Sequence, residues 1–114
     1  MKRAFLISFT DNGQSLAEKI ASGLNQKGMN AQASRCGKPL SLSDFASKGF
    51  KEADALIFVG AMGIAIRAIA PYVASKVKDP AVVVIDEKVN NAISVLSGHL
   101  GGGNELTHLV AEIA

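Results

Sequence analysis

Cysteine, tryptophan and tyrosine are almost missing from this 114-residue chain, which has one Cys, no Trp and one Tyr. A lone Cys36 excludes an internal disulfide and fits a reducing compartment. With five Phe as the other aromatics, the core must be built from Val, Ile, Leu and Ala. Long apolar runs are missing too. The Ala4-Phe5-Leu6-Ile7 run is broken by Ser8, Thr10 and Asp11. That is too short for an export signal or for the roughly 20 apolar residues of a membrane span. The expectation is a cytoplasmic protein with no membrane partner. Charge of one sign is also thin. Lys2, Arg3, Lys19, Lys27, Arg35, Lys38, Lys48 and Lys51 are scattered, and the net charge is +2. No basic stripe marks a nucleic-acid footprint, although a mild positive balance suits an anionic small ligand. Cys36, His99 and His108 lack the spacing of a zinc site, so no protein-held metal is expected.

What is present describes a folded domain. Hydrophobic residues make up 48% and charged residues 19%, which excludes disorder, and the length suits one α/β domain over residues 1–114. Ala4–Phe9 reads as a buried strand ended by a turn at Thr10-Asp11-Asn12-Gly13. Leu16, Ala17, Ile20, Ala21 and Leu24 form one helical stripe, and Gly28 stops that helix. Ala31–Ser34 is a second strand, and 36–50 is loop-like with a short helix from Ser43 to Lys48 capped by Ser41 or Ser43. Ala55–Val59 is the clearest strand, followed by a helix over Ile64–Ala70 that Pro71 must kink or end. Val82–Ile85 and Ala92–Leu96 are strands joined by a short polar link, and a helix runs from Asn104 to Ala114.

Strands alternating with helices imply a three-layer α/β fold. Its sheet has about five strands, mostly parallel, flanked by helices. The short link at 86–91 makes the last strand antiparallel. The helical pattern that reaches Ala114 without a cap suggests the amino-terminal part of a longer protein.

Two glycine-rich clusters are the candidates for chemistry. The first is Gly60-Ala61-Met62-Gly63 with Arg67 one turn on. Ligands of parallel sheets bind beyond the carboxyl ends of strands, beside helix amino termini. Gly60 and Gly63 permit close backbone approach, and Arg67 could hold a carboxylate through two hydrogen bonds. The plainer alternative is a tight strand–helix turn with a solvent-facing arginine. The second cluster is Ser97-Gly98-His99-Leu100-Gly101-Gly102-Gly103-Asn104. Each glycine costs roughly 0.5–1 kcal/mol of conformational entropy relative to alanine, so the run needs a reason. A loop whose amides wrap an anion is one, with His99 as a general acid or base and Asn104 as the helix cap. A loop packed against a neighbouring domain is the other. Neither cluster is a Walker loop or a dinucleotide fingerprint. If the last two strands form a hairpin, the clusters lie at opposite edges of the sheet and serve different neighbours.

Three collinear blocks carry a family resemblance. Phe58-Val59-Gly60-Ala61-Met62-Gly63-Ile64-Ala65-Ile66-Arg67-Ala68-Ile69-Ala70-Pro71 is the first, Lys78-Asp79-Pro80-Ala81-Val82-Val83-Val84-Ile85-Asp86 the second, and Leu96–Leu106 the third. They resemble the amino-terminal region of the cobalt-precorrin-5A hydrolase (CbiG) family of cobalamin biosynthesis, and a weaker match over Phe5–Leu24 extends them. The resemblance implies a hydrolase that opens the δ-lactone of cobalt-precorrin-5A and releases acetaldehyde, giving cobalt-precorrin-5B. It implies a cobalt-bearing tetrapyrrole as substrate and no separate cofactor, since the substrate carries the cobalt. His99 is then the catalytic residue. Gly60, Gly63, Arg67, Ser97, Gly98, Gly101, Gly102, Gly103 and Asn104 are then the substrate-binding residues. The family's carboxyl-terminal domain, or a partner chain, would complete the protein. The alternative is a non-catalytic scaffold or corrinoid-binding module whose partner carries the chemistry. A third, a stand-alone α/β binding protein, is set against the helical pattern that reaches Ala114.

Overall fold

The computed structural model describes residues 2–37, 40–75, 78–98 and 102–114. Strand β1 (Arg3–Ser8) is apolar at every position between Arg3 and Ser8 and is buried along that length. Helix α1 (Asp11–Gln26) begins two residues after Phe9, because Thr10 Oγ1 accepts the Gly13 N–H at 3.0 Å. The segment expected as a turn is therefore the helix's first turn. Its other end follows the expectation. Gly28 takes φ of 91°, the Met29 N–H reaches back to the Leu24 carbonyl, and the Gly28 N–H reaches Asn25. That reciprocal pair closes the helix with a left-handed residue that glycine adopts without steric cost.

Strand β2 (Asn30–Arg35) and helix α2 (Leu42–Glu52) follow. Helix α2 is longer than the Ser43–Lys48 segment expected. Ser41 Oγ accepts the Asp44 N–H, and the buried stripe of Phe45, Ala46 and Gly49 carries the helix on to Glu52. Strand β3 (Ala55–Val59) leads through Gly60 and Ala61 into helix α3 (Met62–Ile69). A 3-10 turn at Ala70–Tyr72 places Pro71 where a missing N–H costs nothing. Strands β4 (Ala81–Ile85) and β5 (Ala92–Ser97) and helix α4 (Gly103–Ile113) complete the chain.

The sheet order is β2-β1-β3-β4-β5. The first three pairings are parallel, and β5 runs antiparallel to β4. The three-layer, mostly parallel sheet with a reversed last strand is the expected architecture. Alternation along the strands assigns the faces. Ala4, Leu6, Ile57, Val59, Val83 and Ile85 pack under α1 and α4, against Ile20, Leu24 and Val110. Phe5, Ile7, Leu56, Phe58, Val82 and Val84 pack on the other face, against Phe45, Ala65 and Ile69. Phe45 meets Phe58 edge-to-face, with ring centres 5.6 Å apart. Because β3 and β4 are covered on both faces, they read as unbroken apolar runs rather than as alternating ones. Each fully buried Leu, Ile or Phe contributes about 1.5–3 kcal/mol, so these central strands hold most of the stabilisation.

The reversal between β4 and β5 is closed by a carboxylate. Asp86 Oδ1 accepts the Asn91 N–H at 2.7 Å. That bond, with help from the Asn90 and Lys88 N–H groups, holds the Asp86 carboxyl below its ordinary value. A lowered folded-state value means that the ionised form stabilises the fold. The contribution is complete above about pH 4 and fades as pH falls through the lower folded value. We expect Asp86→Asn to lower the urea midpoint at neutral pH and to flatten the acid limb of stability against pH. An unchanged acid limb in urea titrations between pH 5 and 2 would show that the turn is held by other means.

Candidate functional site

The two glycine clusters occupy opposite ends of the sheet. Gly60–Gly63 follows the carboxyl end of β3, beside the carboxyl end of β1. The chain leaves β1 toward β2 on one side and returns to β3 on the other, so this is the sheet's topological switch point, the usual ligand position in open α/β sheets. Here the position is largely filled from within. The Gly60 N–H is donated to the Ile85 carbonyl at 2.9 Å, and a Cβ on Gly60 would stand 3.1 Å from the Phe9 ring. The amino terminus of α1, the natural anion seat, is occupied by Thr10 Oγ1 and faces a carboxylate. A Cβ on Gly13 would lie 3.3 Å from Glu87 Oε2, which the β4–β5 turn carries over it. Glu87 is thus held beside the first turn of α1. Gly63 faces open space, and Arg67 is exposed on the last turn of α3 with no partner among the described residues.

The other end of the sheet is built differently. Gly98 follows β5, takes φ of 82°, and sits so close to the start of β4 that a Cβ would fall 2.7 Å from the Ala81 nitrogen. Two cavities meet at it. One, of about 150 Å³, lies between β-strand starts and α4 and is lined by Lys2, Asp54, Gly98, Gly102 and Glu105 over an apolar floor of Met29 and Leu106. The second, of about 320 Å³, opens on the α2/α3 side and is lined by Val73, Ser75, Asp79, Leu96, Ser97 and Gly98. His99 and Gly101, the expected catalytic residue and one of the expected loop glycines, lie outside the described residues, as does Leu100. Gly103 abuts β5, where a Cβ would approach Ser97 Cα to 2.7 Å.

Asn104 does not cap α4. The cap position is Gly102, whose carbonyl accepts the Leu106 N–H at 3.0 Å, and Asn104 lies exposed inside the first turn. The helix starts earlier than expected because a side-chain-free backbone can pack directly on the end of β5. Glu105 does sit in that first turn, where a negative charge suits the helix dipole.

Two acidic residues organise this edge and escaped the sequence reading. Asp54 Oδ2 accepts the Arg3 N–H at 2.8 Å while its main chain bonds to Arg3 and Ala81, which ties together the starts of β1, β3 and β4. Asp79 is 6% exposed, and its Oδ2 accepts the Ala74 and Ser75 N–H groups at 2.9 and 3.1 Å. A sequence signal existed in each case, an Asp just before an apolar strand. It reads only as turn chemistry until burial is known. Among the described residues, no group of three or more acidic, His or Cys side chains could hold a metal ion, and no helix is long and apolar enough to cross a membrane.

The sequence profile of the family described as Cobalamin synthesis G N-terminal matches residues 44–114. The chain belongs to that family. It is 56% identical over 66 residues to the cobalt-precorrin-5A hydrolase of Salmonella typhimurium, an alignment that covers 58% of this chain and 19% of that protein. Against the cobalt-precorrin-5A hydrolase of Priestia megaterium it is 55% identical over 62 residues, covering 54% of this chain and 17% of that protein. The aligned segment thus covers less than a fifth of the length of these curated relatives, and the chain spans only part of them. A solved structure of a cobalamin biosynthesis protein G homologue from Sulfolobus solfataricus superposes with a TM-score of 0.81 at 31% identity. It covers 96% of this chain and 33% of that one. Two of the three blocks that carry the family resemblance, around Asp79 and Gly98, converge on the edge with the two cavities.

Three substitutions test this edge of the cobalamin synthesis G domain. Asp79→Ala leaves two sheltered N–H groups without their acceptor and should cost about 1–3 kcal/mol, whereas Asp79→Asn, which keeps an acceptor oxygen, should cost clearly less. Gly98→Ala forces a Cβ onto the β4 backbone at a positive φ and should lower the urea midpoint at least as much as Asp79→Ala. Equal effects of the two Asp79 substitutions would show that charge, not acceptance, is what matters.

Proposed function

We propose that this chain is the amino-terminal part of a cytoplasmic cobalt-precorrin-5A hydrolase and that its Ser97–Asn104 edge faces the substrate. The carrying observation is family membership combined with two cavities that meet at Gly98, next to the glycine run. The overall reaction consumes one water. Attack of water on the lactone carbonyl breaks the acyl C–O bond and yields a carboxylate and a free alkoxide or alcohol. Collapse of that alcohol to a carbonyl breaks the adjacent C–C bond, releases acetaldehyde, and leaves the electron pair on the macrocycle, which takes up a proton. Cobalt enters and leaves inside the substrate. In this reading His99 removes the proton from the attacking water. Main-chain N–H groups of the glycine run, with Lys2 at the rim of the smaller cavity, receive the peripheral carboxylates. Arg67 and Gly60–Gly63, at the other end of the sheet, would serve a different contact.

Size favours a second reading alongside the first. Ligand pockets for drug-sized molecules run to about 300–1,000 Å³. The cavities here are about 150 and 320 Å³, so a tetrapyrrole would lie across this edge rather than inside it. The chain would then be a corrinoid-binding or scaffolding module, and the chemistry would be completed by additional polypeptide.

Acetaldehyde release from cobalt-precorrin-5A separates the readings. In the complete enzyme, His99→Ala should lower turnover by about 10²–10⁴-fold with little change in stability, and undiminished turnover removes His99 from the role. Turnover by the 114-residue chain alone favours the catalytic reading. A shifted corrinoid visible band without turnover favours the module. No spectral change and no turnover, alone or with the additional polypeptide, would sink both.

A further inference from the structure

We infer that the apolar layer formed by α3, the turn after it and the open side of β5 is the seat on which the additional polypeptide of the longer family members docks. The inference rests on the family reading and deepens it by naming where the protein is completed. Helix α3 reads Met-Gly-Ile-Ala-Ile-Arg-Ala-Ile, apolar all round with a single charge. Helices of that kind are normally enclosed by protein. Here only one stripe is enclosed: Ala65 and Ile69 are buried, while Ile64 and Ile66, on either side of it, are 38% and 47% exposed.

The same layer continues beyond the helix. Val73, just after the 3-10 turn, is 47% exposed and lines the 320 Å³ cavity with Val95 and Leu96. Ile93 pairs with Val84, whose side chain belongs to this face, and is 46% exposed at the edge of the sheet. Four of the five most exposed large apolar side chains among the described residues therefore belong to one layer. A single exposed isoleucine is ordinary, but four exposed apolar side chains on one layer mark a contact surface. The other sheet edge carries Asn30, Gln32 and Ser34 instead.

Relative length identifies the occupant. The chain covers 33% of the solved Sulfolobus solfataricus chain, and its aligned segment 19% of the Salmonella typhimurium hydrolase, so longer members hold about twice this chain's length of additional protein on the same polypeptide. Tethering raises its effective concentration at such a face into the millimolar range. Arg67, exposed within the apolar surface and without a described partner, calls for a carboxylate on the docking side.

The test compares amide hydrogen exchange in the 114-residue chain with exchange in a full-length family polypeptide whose corresponding amino-terminal segment is this chain. Amides of α3 and β5 should exchange at least about tenfold more slowly in the full-length protein, while those in the middle of α1 are unchanged. Ile66→Lys combined with Ile93→Lys should abolish the gain. Ile66→Ser with Ile93→Ser, a milder pair, should reduce it, and Glu18→Lys on the exposed side of α1 should leave it intact. Equal exchange in both proteins overturns the inference. So does a 114-residue chain that sediments as a dimer with α3 already protected, since the occupant would then be a second copy. Acetaldehyde release is measured on the same samples. Protection without turnover leaves the docking face standing and removes the hydrolase reading, and turnover without protection does the reverse.

Discussion

Six residues between β4 and β5 decide which end of the sheet each glycine cluster occupies. A link that short cannot carry a chain back to start a parallel strand, so β5 must run antiparallel. Asp86 locks the link by accepting the Asn91 N–H. Every later feature inherits that reversal. The glycine run is delivered to the amino-terminal ends of β3 and β4 instead of the carboxyl ends, and α4 returns beneath the sheet to pack beside α1. The two clusters most suggestive of binding are thereby separated by the length of the strands.

The same turn closes off the conventional ligand position. Glu87 is carried close to the first turn of α1, and Thr10 Oγ1 caps that helix by accepting the Gly13 N–H. At the opposite edge the acidic residues work inward. Asp54 and Asp79 accept main-chain N–H groups and hold the strand starts and the loop after α3 in place, which leaves the cavities beside Gly98 open. One end of the sheet spends its polar groups on closure, and the other uses them to frame a space.

Family membership and the small cavities fit together physically. A domain of this size buries enough apolar surface to fold around β3 and β4, and the two cavities that meet at Gly98 among the described residues are each too small to enclose a macrocycle. The apolar skin of α3 and the open side of β5 are surfaces that burial elsewhere would satisfy. An edge with two small cavities and an apolar layer on α3 and β5 are what this domain presents to its surroundings.

Much of the architecture was legible in residue order. The apolar runs Ala55–Val59 and Val82–Ile85, the stripe Leu16–Leu24, Gly28 as a stop and Pro71 as a kink all follow from local periodicity and backbone chemistry, which act within a few residues. So did the reversal of β5 and the separation of the two glycine clusters, because link length alone dictates direction. The full extent of α2 and the Gly102 cap of α4 were not legible, since each depends on what packs against the helix, whereas the start of α1 was missed although its signal, Thr10 accepting the Gly13 N–H, is local. Nor could the sequence reveal that Asp79 is buried on two N–H groups, that Glu87 is held beside the first turn of α1, or that Gly98 is pressed against Ala81. Those facts join residues distant in the chain, and only the stacking of strands decides which distant groups meet. The sequence by itself determined the elements, their direction and the family; the tertiary structure alone decided which end of the sheet is closed and which is left open.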